Sequence, residues 1–248
     1  MRRRAMTVAA ASVAASVAAS AGGVAAAAAG AEPATTNVDA AGNAFTGGLA
    51  FKPASVTLAH VGDVVRWTNT DFLVPHTATE DHGLWDLGGS YGGTPLTDAG
   101  FAPGTSVQRP FEAGTAHYFC RVHPVQMRAI VAVPVDLQLS TRALKQGRRT
   151  RTVQDVVMTW ATQPPADGRA FDVEVKRGSG DWTPFASGTT ATSGTIRAGA
   201  KGTVTAVRAR LRSIASPSKA EDWSPEASVT SSQPVAAAST KPRKPKRP

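Results

Sequence analysis

The stretch YFCRVHPVQM, residues 118–127, holds the chain's one cysteine, Cys120, with His123 three positions on and Met127 four beyond that. A thiolate, imidazoles and a thioether form the donor set that suits copper and readies it for one-electron transfer. Cys120, His123 and Met127 come from one loop at the end of a predicted strand, AHYFC (116–120). One short loop does not surround an ion, so a further donor must come from elsewhere. His76, in WTNTDFLVPHTATE (67–80), is the best placed, after a predicted strand and before a long loop. Taken singly, a buried cysteine is a packing residue, and a lone histidine or methionine says as little. The order and spacing of all four are what point to a metal. An intermolecular disulfide through Cys120 is the rival reading, and it leaves His76 and His123 unexplained.

The setting of that cysteine is set by the leader. Residues 1–31 carry Arg2, Arg3 and Arg4, then a weakly apolar Ala-rich run, then a small-residue site, AGA, ending at Ala31. That is the pattern of a secretory signal peptide cleaved after Ala31. Exported proteins meet oxidants, and an unpaired thiol there is a liability unless it is buried, bridged to another chain or bound to a metal. No later segment is apolar enough over a sufficient length to span a bilayer. The chain is expected outside the cytoplasm: extracellular, periplasmic or bound to the cell wall.

The formal net charge is +9, but three positives lie in the leader and five (Lys241, Arg243, Lys244, Lys246, Arg247) in the last eight residues, which leaves +1 for everything between. A nearly neutral folded part argues against a nucleic-acid face. The tail, residues 232–248, is expected to be disordered and to be able to bind an anionic cell-wall polymer by charge.

The elements that must position the donors are short strands. With 23 Gly, 17 Pro and few aromatics, the 248-residue chain leans to an all-β fold. Residues 32–44 are small and polar and read as a flexible leader. From 45 to 134, runs such as SVTLAHVGDVVRWTN (55–69), TSVQRPF (105–111), AHYFC and AIVAVPV (129–135) alternate with turn residues. Residues 80–104 form a long Gly-rich connection, of the kind that is usually functional. From 135 to 231 a second strand series follows, including VQDVVMTW, FDVEVKR, SGTIRA and VTAVRARLR. The polar, basic residues 142–151 read as a surface loop within it. About seven strands at this spacing suggest a second sandwich. The expectation is two β-sandwich domains.

The pieces FKPASVTLAHVGDVVRWTNTDFLVPHT and FEAGTAHYFCRVHPVQMRAIVAV make residues 45–134 resemble a cupredoxin, the small blue-copper fold. The resemblance implies a Greek-key sandwich with one type 1 copper at one end. By position it makes His76 and His123 the imidazole ligands, Cys120 the thiolate and Met127 the weak axial ligand. Family loops are one residue shorter or longer between the second histidine and the methionine. Here the gap is Pro124, Val125 and Gln126. The shorter spacing would make Gln126 axial, and Met127 is preferred because MRAIVAV resumes the family's exit strand in register. Asn69 and Thr77 match positions that brace the copper loops by hydrogen bonds. Residues 135–231 resemble a fibronectin type III domain through VVMTW, FDVEVKRGSGDW, VTAVRARLRS and DWSPEASVT, which implies an Ig-like sandwich and says little of a ligand.

The other histidines carry less. His60 is expected at an exposed turn, and His117, three before Cys120 on a strand, on the opposite face and in solvent. His82 and Asp81 are expected in an exposed loop, with a role near the metal the alternative. Trp182 and Trp223 read as packing at the sandwich edge rather than as ligand-binding aromatics.

Five histidines with no H-x-H, and no nucleophile, zinc-protease or phosphate-loop motif, argue against an enzyme. The leading expectation is an exported monomeric electron carrier with one copper and a redox-protein partner. Two alternatives stand beside it: a copper storage or delivery protein, which the mere 4 Met disfavour, and a cell-surface module whose copper site is structural or lost.

Overall fold

A computed structural model describes residues 32–43, 47–88, 100–147 and 149–232. The expected signal peptide, residues 89–99 of the Gly-rich connection and the basic tail beyond 232 lie outside the described residues. From Pro33 onward the described residues belong to one compact unit. Their regular elements are all strands, so the protein is all-β. No helix among them is long and apolar enough to cross a membrane.

The first nine strands are β1 (Thr35–Asn43), β2 (Gly47–Lys52), β3 (Ser55–Thr57), β4 (Val64–Asn69), β5 (Ala78–Glu80), β6 (Asp86–Leu87), β7 (Ser106–Pro110), β8 (Gly114–Phe119) and β9 (Arg128–Val133). They form a four-stranded sheet in the order β2-β1-β4-β7 and a five-stranded sheet in the order β3-β9-β8-β5-β6. Alternation places Val65 and Trp67 of β4, Ala116 and Tyr118 of β8, and Val131 and Val133 of β9 in the core, all close to fully buried. Five rings gather there. Trp67 lies 5.6 Å from Tyr118 and 6.1 Å from Trp85, Phe111 packs on both tryptophans, and Phe51 lies 4.8 Å from Tyr118. Trp67 Nε1 donates to the Tyr118 hydroxyl at 3.1 Å, so the polar ends of both rings are met inside the core.

Residues 35–43 are not a flexible leader. They are β1, an interior strand that pairs parallel with β4 from Thr35↔Val64 to Ala40↔Asn69 and antiparallel with β2. Its inward residues are Val38 and Ala40, both fully buried. The strand is held by its ladder on two sides and needs little apolar side chain.

The remaining strands are β10 (Asp136–Gln146), β11 (Arg149–Thr159), β12 (Arg169–Arg177), β13 (Thr183–Thr189), β14 (Ser193–Arg197), β15 (Val204–Ser213) and β16 (Ala227–Thr230). A three-stranded sheet, β10-β11-β14, accompanies a four-stranded sheet, β13-β12-β15-β16. The expected loop at 142–151 is mostly strand. β10 and β11 pair without interruption from Asp136↔Thr159 to Gln146↔Arg149, and the hairpin turns at Gly147 with φ +61°. Arg142 pairs with Asp155, so charge sits along an exposed ribbon rather than in a loop. On β15, Arg208 lies over both Trp182 and Trp223, and Arg210 over Trp223, while Lys176 lies over Trp182. The two half-buried tryptophans pack among these cations of the central strands.

The two halves share one core. Ala113 N donates to Trp160 O at 2.8 Å, Thr115 and Asp222 exchange backbone bonds, and Trp85 Nε1 donates to Glu221 Oε1 at 3.3 Å. His117 does point away from the core, but it pairs with Asp222 at 3.2 Å instead of standing alone in solvent. His60, exposed as expected, pairs with Asp136 at 3.0 Å.

Candidate metal centre

Three backbone segments build the site at one end of the first sandwich. β4 ends at Asn69, and the loop after it carries His76. The side-chain amide of Asn69 donates to Val74 O at 2.9 Å and to Phe101 O at 3.0 Å, and its Oδ1 accepts from Asp71 N. That single side chain fixes the loop's shape and ties it to the segment at 100–105. His76 is then clamped by backbone bonds in both directions with Phe101. Gly100, at φ +119°, makes this approach possible: a Cβ there would lie 2.4 Å from His76 O.

β8 delivers the second segment. Thr79 opposes Phe119 across β5 and β8, so Cys120 emerges beside Thr77. Thr77 N donates to Cys120 Sγ at 3.4 Å, and Thr77 Oγ1 accepts from Arg121 N at 2.8 Å. A backbone donor is thus aimed at the sulfur and helps fix its position. The third segment, the turn 121–127, closes on itself through His123 N to Cys120 O, Met127 N to His123 O and Cys120 N to Met127 O, each 3.0 Å.

These constraints bring His76, Cys120 and His123 together. Their donor atoms lie within 4.8 Å of one another. Cys120 Sγ is 3.6 Å from His76 Nδ1 and 3.9 Å from His123 Nδ1. Among the described residues this is the one cluster of three or more such donors. Cys120 and His76 are fully buried, and His123 is half-buried. Burial pushes both imidazoles below their ordinary pKa, and for His76 the neighbouring His123 adds to the effect. Both are therefore neutral lone-pair donors near neutral pH. Met127 is fully buried, whereas Gln126 is exposed. A buried thiolate–imidazole set of this size fits a soft transition-metal ion such as copper.

His82 and Asp81 are separated from His76 by β5. His82 Nδ1 meets Glu80 Oε1 at 2.9 Å, away from the cluster. Asp81 pairs with Arg128, which also donates to Pro124 O at 3.3 Å, so it steadies the turn from outside. One residue that the sequence reading passed over stands against the cluster. The Asp71 carboxylate is buried, and its Oδ2 lies 3.6 Å from His76 Nε2. Its only local signal is an Asp two residues after Asn69, which also describes many ordinary turns. Phe72, Leu73 and Val125 on the same loops are exposed apolar residues, with Val125 82% exposed.

No family model matches the chain, and no curated protein matches it. Solved structures do. An oxidised methionine-to-lysine variant of amicyanin is 25% identical, covering 40% of this chain and 81% of its own, with a TM-score of 0.30. A reduced tryptophan-to-tyrosine variant of amicyanin is 24% identical over 42% of this chain and 84% of its own, with a TM-score of 0.29. Amicyanin from Paracoccus versutus (Thiobacillus versutus) is 23% identical over 42% and 83%, with a TM-score of 0.26. What the site can do is decided by its own donors: a His–Cys–His cluster at the end of β8 in a two-sheet sandwich.

Proposed function

We propose that the chain is an exported one-electron carrier built around a single type 1 copper, held by His76, Cys120 and His123 with Met127 as weak axial donor. The observation that carries this reading is the convergence of one thiol sulfur and two imidazole nitrogens within 4.8 Å. When bound, copper in such a set supplies a reversible one-electron couple. The chain's own residues do the rest. Thr77 N holds the sulfur, Asn69 holds the loop of His76, and burial keeps both imidazoles neutral. Burial of Met127 and exposure of Gln126 support the thioether over the amide as axial donor. With all four positions taken by protein there is no open place for a substrate, which suits a carrier rather than an enzyme.

His123 is half-buried, the loops that carry His76 and His123 also carry exposed Phe72, Leu73 and Val125, and these apolar side chains offer a surface for a protein redox partner. The second half, with its three-stranded and four-stranded sheets, supports the reading of a fibronectin type III-like spacer. The leader exports the chain and the basic tail holds it to anionic wall polymer.

The test is a visible spectrum of the mature protein with Cu(II), beside Cys120→Ser. An intense blue band, bleached by ascorbate and missing from the variant, is the expected result. Absence of the band in the unaltered protein would sink electron transfer and leave a structural or binding module. A redox titration separates the carrier from a storage protein, because only the carrier gives a reversible couple with fast self-exchange.

A further inference from the structure

Asp71 and His76 present an unusual pair of buried polar atoms. Asp71 Oδ2 and His76 Nε2 both lack a hydrogen-bond partner, both side chains have no solvent exposure, and the two atoms face each other at 3.6 Å. The other carboxylate oxygen is taken: Asp71 Oδ1 accepts from Leu73 N at 3.0 Å. Asp71 N is fixed on Asn69 Oδ1, so the residue is held at two points and its free oxygen is aimed. His76 shows Nδ1 to Cys120 Sγ and Nε2 to the carboxylate. At 3.6 Å the pair is just beyond hydrogen-bond range. Leaving both atoms unmet in a dry interior is costly, and a shift of a few tenths of an ångström closes the gap.

We propose that Asp71 is a positioning residue for the metal centre: its buried Oδ2 accepts a hydrogen bond from His76 Nε2–H, which leaves Nδ1 as the lone-pair donor on the Cys120 side. The idea rests on the copper reading for its effect on a bound ion, but the choice of tautomer is a property of the metal-free protein. A carboxylate behind an imidazole strengthens it as a donor and fixes its ring orientation. A negative charge there also favours the more highly charged oxidation state. Asp71 would therefore hold the reduction potential down.

The experiment has two arms. In metal-free protein, imidazole nitrogen NMR reads the tautomer of His76. The expected result is the Nε2–H form in the unaltered protein and its loss in both Asp71→Asn and Asp71→Ala. In Asp71→Asn the amide keeps the volume and the acceptor for Leu73 N, and it turns an NH2 towards Nε2. In copper-loaded protein, both variants should bind Cu(II) about 10- to 100-fold more weakly with a smaller loss for Cu(I). The potential then rises by about 59 mV for each tenfold of selective loss. Asp71→Asn guards against a mere folding defect, checked by near-UV circular dichroism. An Nδ1–H tautomer in the unaltered protein, or an unchanged tautomer in both folded variants, overturns the proposal. If the unaltered protein gives no blue band, the copper reading fails while the tautomer arm still decides the role of Asp71.

Discussion

β8 ends in two different buried polar sites. Beyond its C-terminal end lie Cys120, His76 and His123, and at its N-terminal end Gly114 and Thr115 meet Glu221 and Asp222 of the second half. At the metal end burial lowers both imidazoles, and backbone N–H groups and the Asn69 amide take up the loop's acceptors. The junction has a carboxyl where the other has donors for an ion. Glu221 is 3% exposed, its Oε1 accepts only a 3.3 Å bond from Trp85, and Glu80 and Glu112 lie near it with Arg109. Burial first, and those two carboxylates after it, push its pKa up to about 8. One site presents a sulfur and two imidazole nitrogens, the other a buried carboxyl.

The contrast can be broken from either end, and the largest effect is at the metal. Cys120→Ser should abolish the blue band entirely, while its cost to stability stays at about 1 kcal/mol, since Thr77 N still has an acceptor. Visible absorption and urea denaturation of the same sample check both halves of that statement. Gly114→Ala should do the reverse. A Cβ there would sit 2.3 Å from Glu221 Oε2, and that side chain is too enclosed to move freely. Destabilisation by about 1–3 kcal/mol is expected, with the spectrum unchanged.

A subtler change sharpens the junction. Glu221 has a folded pKa raised from 4.5 to about 8, so the folded state binds the proton more tightly. Its contribution is full below the unfolded pKa and is lost as pH rises through about 8. Glu221→Gln should remove that decline, on the order of a few kcal/mol. It should leave the variant more stable than the unaltered protein at alkaline pH; denaturation midpoints measured across this window give the slope. The smallest effect on stability is expected for Phe72→Asp, within about 0.5 kcal/mol because the ring is exposed. Its electron self-exchange should slow by roughly tenfold, since two copies would then meet with like charges; line broadening in mixtures of oxidised and reduced protein reads that rate.

The legibility of these regions in the sequence differs for physical reasons. The donors of the metal end are rare residue types in a fixed order, so a chemistry could be named although His76 lies 44 residues from Cys120. Spacing left Met127 and Gln126 open, and in the fold Met127 is buried while Gln126 is exposed. The strand at 35–43 was illegible because a ladder on both sides stands in for apolar side chains, and TTNVDAAGN offers only Val38 and Ala40 to the core. The hairpin at 142–151 was hidden by polar side chains such as exposed Arg142, Lys145 and Arg151. Asp71 had only the signal of an ordinary turn, and Glu221 had none. Their sequences read as solvated turns, and what buries them arrives from elsewhere: His76 in one case, Trp85 and Gly114 in the other.

The placement of the rings has an optical consequence. Of the five tryptophans, Trp67 and Trp85 stand against Tyr118, two residues before Cys120, while Trp182 and Trp223 lie under arginine and lysine in the other half. Dry, ring-packed indoles emit at shorter wavelength than half-exposed ones beside cations. The chain's own fluorescence is thus divided by colour, and a metal that absorbs light near Cys120 would dim the blue side of the emission ahead of the red.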